Sequence, residues 1–147
     1  MSAKPILRAF VEGVPIPQGS ARAFVVKGRA IVTSDNPKLK GWREWLRVNL
    51  RSEWASQDTI KTPCSVHLTF VLPRPKSHLS VKGVKASAPT HMTGKPDLDK
   101  LVRAVLDAVT DAGVWQDDAQ VVGVSAAKTW ASAQERTGVS VTIWEAE

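Results

Sequence analysis

The chain has 147 residues, 43% of them hydrophobic and 23% charged, which suits one compact domain with a single core. Its formal net charge of +6 favours polyanionic partners, and its one cysteine, Cys64, excludes an internal disulfide or a cysteine-built zinc site. No apolar run approaches the roughly 20 residues of a membrane helix, and Lys4 and Arg8 interrupt any signal-peptide core, so the expected location is the cytoplasm, with no membrane partner.

Ile6 to Val14 reads as a first strand, closed by the turn-prone run Pro15 to Ser20. Ala23–Val26 and Ala30–Thr33 flank Lys27-Gly28-Arg29 as a short hairpin. Asn36, with Pro37 behind it, marks the start of a helix that runs to about Ser56. Leu39, Trp42, Trp45, Leu46, Leu50 and Trp54 recur at helical spacing and define its core face. Lys40, Arg43, Arg47 and Arg51 form a basic stripe on another face, with Arg43 and Arg47 as candidate phosphate contacts; a plain solvated face has the same pattern.

Ser65 to Leu72 is the second main strand. Residues 73–96 then form a long irregular segment, rich in Pro, Ser and Gly, with Arg74, Lys76, Lys82, Lys85 and Lys95 and no acid. Loops of this length in compact domains are often functional or mobile, and a basic mobile loop ahead of the acidic residues suits a polyanion that must be wrapped and released; a disordered surface insertion has the same composition. Asp97 caps a second helix from Leu98 to about Asp111, ended by Gly113. Ala119–Trp130 and Val139–Glu145 read as the last strands. The expected fold is a single α+β domain over 1–147, a mixed sheet packed with two main helices.

Charge is distributed unevenly. Residues 1–96 carry 16 basic and 5 acidic residues, a balance of +11, whereas 97–147 carry 4 and 9, a balance of −5. Six aspartates fall between 97 and 118: Asp97, Asp99, Asp107, Asp111, Asp117 and Asp118. Like charges gathered this way cost stability unless cations lie among them. If helix and following strand pack back on each other, the acids at 97, 99, 117 and 118 suit a hard divalent ion. Such an ion activates water and neutralises a phosphodiester's oxygens, and Lys100 or Arg103 can add positive charge at the transition state. The same positions also suit a helix cap, a first-turn acid and a turn, so spacing alone admits either use. Asp107 falls mid-helix, with no role fixed by spacing. His67 lies in a strand, and His78 and His91 lie in the long segment without ligand spacing. No nucleophilic triad or phosphate-binding glycine loop stands out.

Lys95-Pro96-Asp97-Leu98-Asp99-Lys100-Leu101-Val102-Arg103, Asp107-Ala108 and Gln116-Asp117-Asp118-Ala119-Gln120-Val121 together resemble the signature of the RusA family of Holliday-junction resolvases, P-D-x-D-N-L-x-K, then D-A-L, then D-D-x-Q-[IV]. The resemblance implies a homodimeric endodeoxyribonuclease, dependent on Mg²⁺ with Mn²⁺ as an alternative ion. It would bind four-way DNA junctions and nick two strands symmetrically in recombination and repair, in a bacterium or phage-infected cell. It implies Asp97, Asp99 and Asp118 as metal-binding and catalytic residues, with Asp117 as a companion acid and Arg103 as a catalytic cation. The alternatives are a less selective branched-DNA nuclease and a catalytically weak nucleic-acid-binding protein. Two positions depart from the signature: Lys100 replaces its usual Asn, and Arg103 its Lys. Arg keeps the charge but presents a planar fork where Lys presents a point.

Overall fold

The computed structural model describes residues 4–19, 21–34, 37–132 and 134–146, with the main chain alone for 21–26 and 30–34. Eight strands and two α-helices follow in chain order: β1 (Leu7–Glu12), β2 (Ala21–Val26), β3 (Arg29–Ser34), α1 (Leu39–Trp54), β4 (Cys64–Leu72), β5 (Leu79–Ser80), β6 (Gly83–Val84), α2 (Leu98–Asp111), β7 (Val121–Trp130) and β8 (Gly138–Glu145). The main sheet has the order β1-β8-β4-β7; β8 runs antiparallel to both its neighbours and β4 pairs parallel with β7. This is the expected α+β fold with a mixed sheet.

Side-chain alternation sets the two faces of the sheet. Leu7, Ala9 and Val11 of β1, Val139, Val141 and Ile143 of β8, and Cys64, Val66, Leu68 and Phe70 of β4 are all buried on one face. The helices cover that face. They pack on each other, with α1 also against β1 and α2 against β7. Helix α1 buries Leu39, Trp42, Leu46, Leu50 and Trp54, and α2 buries Leu101, Ala104, Val105, Ala108 and Val109, both at helical spacing.

Several boundaries shift from the sequence reading. The first hairpin turns on Lys27 and Gly28 alone, both at positive φ, while Arg29 enters β3; a tight two-residue turn matches the strand twist better than a three-residue loop. Asn36, the expected cap of α1, lies outside the described residues; Lys38 stands at the cap position and makes no side-chain cap bond. Trp45, expected in the core, is half exposed, because its indole N–H donates to the Glu12 carbonyl at the protein's edge. Residues 118–120 form a 3₁₀ turn ahead of β7. The segment 73–96 is more regular than expected: a 3₁₀ turn at Lys76–His78 leads into the β5–β6 hairpin, and Met92 is buried.

Because β4 and β7 are parallel, the chain must cross over between them, and α2 makes that crossing. Gly138 stands where β8 passes β1. A Cβ there would lie 2.3 Å from the Val11 carbonyl oxygen, and its φ of +158° disfavours side chains as well.

Candidate active site

Asp97 occupies the N-cap position of α2 with extended backbone angles, and its carbonyl accepts the first helical hydrogen bond from Leu101 N–H at 3.1 Å. Its carboxylate makes no cap bond, so it is not used up in starting the helix. Lys100 lies beside it, with Nζ 3.9 Å from Oδ2. Asp99 is the acid of the first helical turn, where the helix dipole favours negative charge. Both acids are exposed.

The second pair of acids lies in the loop after α2. Segment 59–62 holds that loop in place: Ile60 N–H donates to the Val114 carbonyl at 2.8 Å, and Gln116 N–H donates back to the Ile60 carbonyl at 3.2 Å. Asp117 then caps the 3₁₀ turn, accepting from Ala119 N–H at 2.9 Å. Gln120 completes the arrangement. Its side-chain oxygen accepts from the N–H groups of Gln116 and Asp117, at 2.8 and 2.9 Å, and its amide donates to the carbonyls of Ile60 and Thr62, both at 2.9 Å. The structure thus uses Asp117 to cap the turn and leaves the Asp118 carboxylate outside that cap.

Asp118 is half-buried and its carboxyl is pushed above the usual aspartate range. Burial is the largest cause, followed by a hydrogen bond with the Asp117 carboxyl and the negative charges of Asp117 and Asp107; Arg103 opposes them. Asp107, which spacing left without a role, therefore belongs to the same acidic patch. Arg103 reaches over it, with Nε 4.0 Å from Asp107 Oδ2 and a side chain that is 70% exposed.

Asp97 and Asp99 lie at the opposite end of α2 from the turn that carries Asp118. At a rise of about 1.5 Å per residue, Asp97 stands roughly 15 Å from Asp107 along α2. Among the described residues, no three carboxylate, imidazole or thiol groups converge on one point. The acids instead form two groups: Asp97 and Asp99 at the head of α2, and Asp107 with Asp117 and Asp118 towards its other end, with Arg103 between them in sequence. The donor chemistry still fits a hard divalent cation. Mg²⁺ is commonly held by only one or two protein carboxylates and keeps several waters, so an open set of oxygens suits it better than a closed cage.

The expected DNA contacts divide in the same way. Lys76, Lys82, Lys85 and Lys95 are exposed along the 73–96 segment. Arg43 is engaged instead across the helix pair, donating to Asp111 at 2.8 Å, and Arg47 is engaged with Glu44 on its own helix. His67 is held between Ser125 and Thr69 in the sheet, 3.1 and 3.3 Å away.

Two residues that spacing did not single out organise the region. Gln120 is one, and its signal was present, since D-x-x-Q is a capping-box pattern. The other is Lys128 on β7, whose Nζ donates to the carbonyls of Gly94 at 2.6 Å and Pro96 at 2.8 Å. Arg74 anchors the far end of the basic segment, donating to the carbonyls of Ala131 and Pro89 at 3.2 and 3.3 Å, with its guanidinium over the Trp130 ring.

A family model described as endodeoxyribonuclease RusA matches residues 12–143. No curated protein matches the chain significantly. The matched span takes in both acidic groups, the basic segment, and the strands that carry them.

Proposed function

The chain belongs to the RusA endodeoxyribonuclease family, and from that premise we propose a Mg²⁺-dependent enzyme that resolves four-way DNA junctions by paired symmetric nicks, acting as a homodimer. The observation that carries the metal requirement is the Asp118 carboxylate, half-buried among the like charges of Asp117 and Asp107 and without a partner that neutralises them all. A divalent ion relieves that repulsion. When bound, it supplies activated water and neutralises charge on the phosphodiester.

The protein's own groups divide the remaining work. Asp97 and Asp99 at the head of α2, and Asp118 with Asp107 beside it, are proposed as two separate sets of ligands, with Asp117 fixing the turn that presents Asp118. Arg103 is proposed to meet a non-bridging phosphate oxygen; its exposure beside Asp107 and a planar fork that can contact two oxygens at once support that role. Lys100 offers a second cation near Asp97. Lys76, Lys82, Lys85 and Lys95 hold the DNA backbone. Such contacts carry affinity but no sequence information, which suits an enzyme that selects branched shape. A homodimer presents two cutting sites related by two-fold symmetry, as paired nicks across a junction require.

Labelled four-way, flap and linear duplex DNA, incubated with Mg²⁺ or EDTA, test this reading beside an Asp99→Asn variant. Paired nicks in the four-way substrate, lost with EDTA and in the variant, are expected. Binding without cleavage in any divalent metal would overturn it, and equal cleavage of flaps would replace junction resolution with a broader branched-DNA nuclease.

A further inference from the structure

Lys128 stands on the helix-facing side of β7, in register with buried Phe70 of β4, between Ala126 and Trp130, which pack against the core. An alternating strand predicts an apolar residue there. A charged side chain at a half-buried position needs polar partners, and Lys128 finds them in the Gly94 and Pro96 carbonyls. Among the described residues no carboxylate lies within ion-pair distance of it. Its ammonium is therefore spent on the main chain just ahead of Asp97.

The Pro96 oxygen belongs to the rigid peptide plane that ends at Asp97 Cα. Holding that oxygen sets the plane from which Asp97 departs. On its other side, Asp97 is fixed by its own carbonyl's bond to Leu101 N–H. The backbone of Asp97 is thus held from both directions while its carboxylate stays uncapped. β7 also follows directly from the turn that presents Asp118, so the strand that begins beside one acidic group ends by holding the other.

We propose that Lys128 is a positioning residue for metal binding at the head of α2: it orients Asp97 through the Pro96 carbonyl and touches neither metal nor DNA. The proposal rests on the nuclease reading, and its test is arranged to fail separately from it. Parent, Lys128→Met and Lys128→Arg proteins are compared in three measurements: the Mg²⁺ concentration for half-maximal junction cleavage, the shift in melting temperature on adding Mg²⁺ or Mn²⁺, and junction binding in EDTA. For the methionine variant, the half-maximal Mg²⁺ concentration should rise at least about fivefold and cleavage fall about tenfold or more, because small misplacements of a reacting centre are costly. Its metal-induced melting shift should shrink, while DNA binding in EDTA stays within about twofold, as the lost group is not a phosphate contact. The arginine variant, which can still donate to both carbonyls, should recover most of the metal response. An unchanged metal requirement and melting shift in Lys128→Met overturn the proposal, as does a loss of DNA binding in EDTA. If Lys128→Met does not fold, Lys128→Gln, which keeps one donor, decides by the same criteria. If the parent cleaves nothing in any metal, the nuclease reading fails, and the melting shift still judges Lys128.

Discussion

Asp117 and Gln120 cap each other: the Asp117 carboxylate accepts from the backbone of the 3₁₀ turn, and the Gln120 side-chain oxygen accepts from Asp117 N–H at 2.9 Å. The same glutamine amide ties the turn to Ile60 and Thr62. Gln120→Ala removes the four bonds of its own side chain and leaves Asp117 N–H without its partner, at about 1–3 kcal/mol. Denaturant unfolding should show that loss. Cleavage, measured where the variant is still folded, should fall too, because the turn that presents Asp118 is no longer fixed.

Asp117 and Asp118 are neighbours with different employment, so their amide variants should part company. Asparagine caps as well as aspartate, and Asp117→Asn should keep stability within about 0.5 kcal/mol and retain most cleavage. Asp118→Asn should abolish cleavage, by about 100-fold or more, with junction binding preserved. Equal loss of cleavage in both would make Asp117 a ligand in its own right.

The raised carboxyl of Asp118 fixes the sign of a pH effect. A group that holds its proton more tightly when folded contributes its full stabilisation below its unfolded pKa, and that contribution is lost as pH rises through the folded value. Metal-free protein should therefore melt at lower temperature as pH climbs from about 4, the ordinary aspartate value, through the mildly acidic range. Asp118→Asn should flatten that part of the profile. Divalent metal should restore the melting temperature at neutral pH. A parent and variant with parallel profiles would show that Asp118 is not the group responsible.

The lysines of the 73–96 segment should act as phosphate contacts. For each one lost, the slope of log affinity against log salt should become shallower by about 0.9 on duplex arms. The triple change of Lys76, Lys82 and Lys85 to Ala should thus weaken binding most at low salt and leave sequence preference unchanged. Binding titrations across salt concentrations check this. Arg43→Ala should affect the slope less, since that charge is already engaged with Asp111.

Gly138→Ala should destabilise the domain by about 1–3 kcal/mol, the usual cost of overpacking or of strained backbone. The Cβ would meet both the Val11 carbonyl and the Phe10 ring. A loss of melting temperature with residual cleavage per folded molecule unchanged is the expected result.

Much of this architecture was legible from the chain because periodicity reports burial directly. The apolar positions of α2 and the alternation in β1, β4 and β8 follow their patterns. Trp45 was misread because spacing places a side chain on a helix face but says nothing of an indole drawn outward by the Glu12 carbonyl. The acids were legible as a group and not as a geometry. Their relation depends on the parallel pairing of β4 with β7, which sets α2 running between the two acidic groups. Lys128 was invisible for a related reason: its partners are main-chain carbonyls more than 30 residues away, and backbone atoms leave no mark on sequence pattern.

Strand β8, made after the other three strands of its sheet, lies inside that sheet, with β1 on one side and β4 on the other. It joins Leu7 to Ile143 and Cys64 to Glu145, pairings far apart along the chain. Such non-local pairings form slowly, and a growing polypeptide cannot make these until β8 has been synthesised. A ribosome-bound fragment thus lacks the assembled sheet against which α2 packs. The order of synthesis itself keeps a DNA-cutting surface from assembling before β8 has emerged.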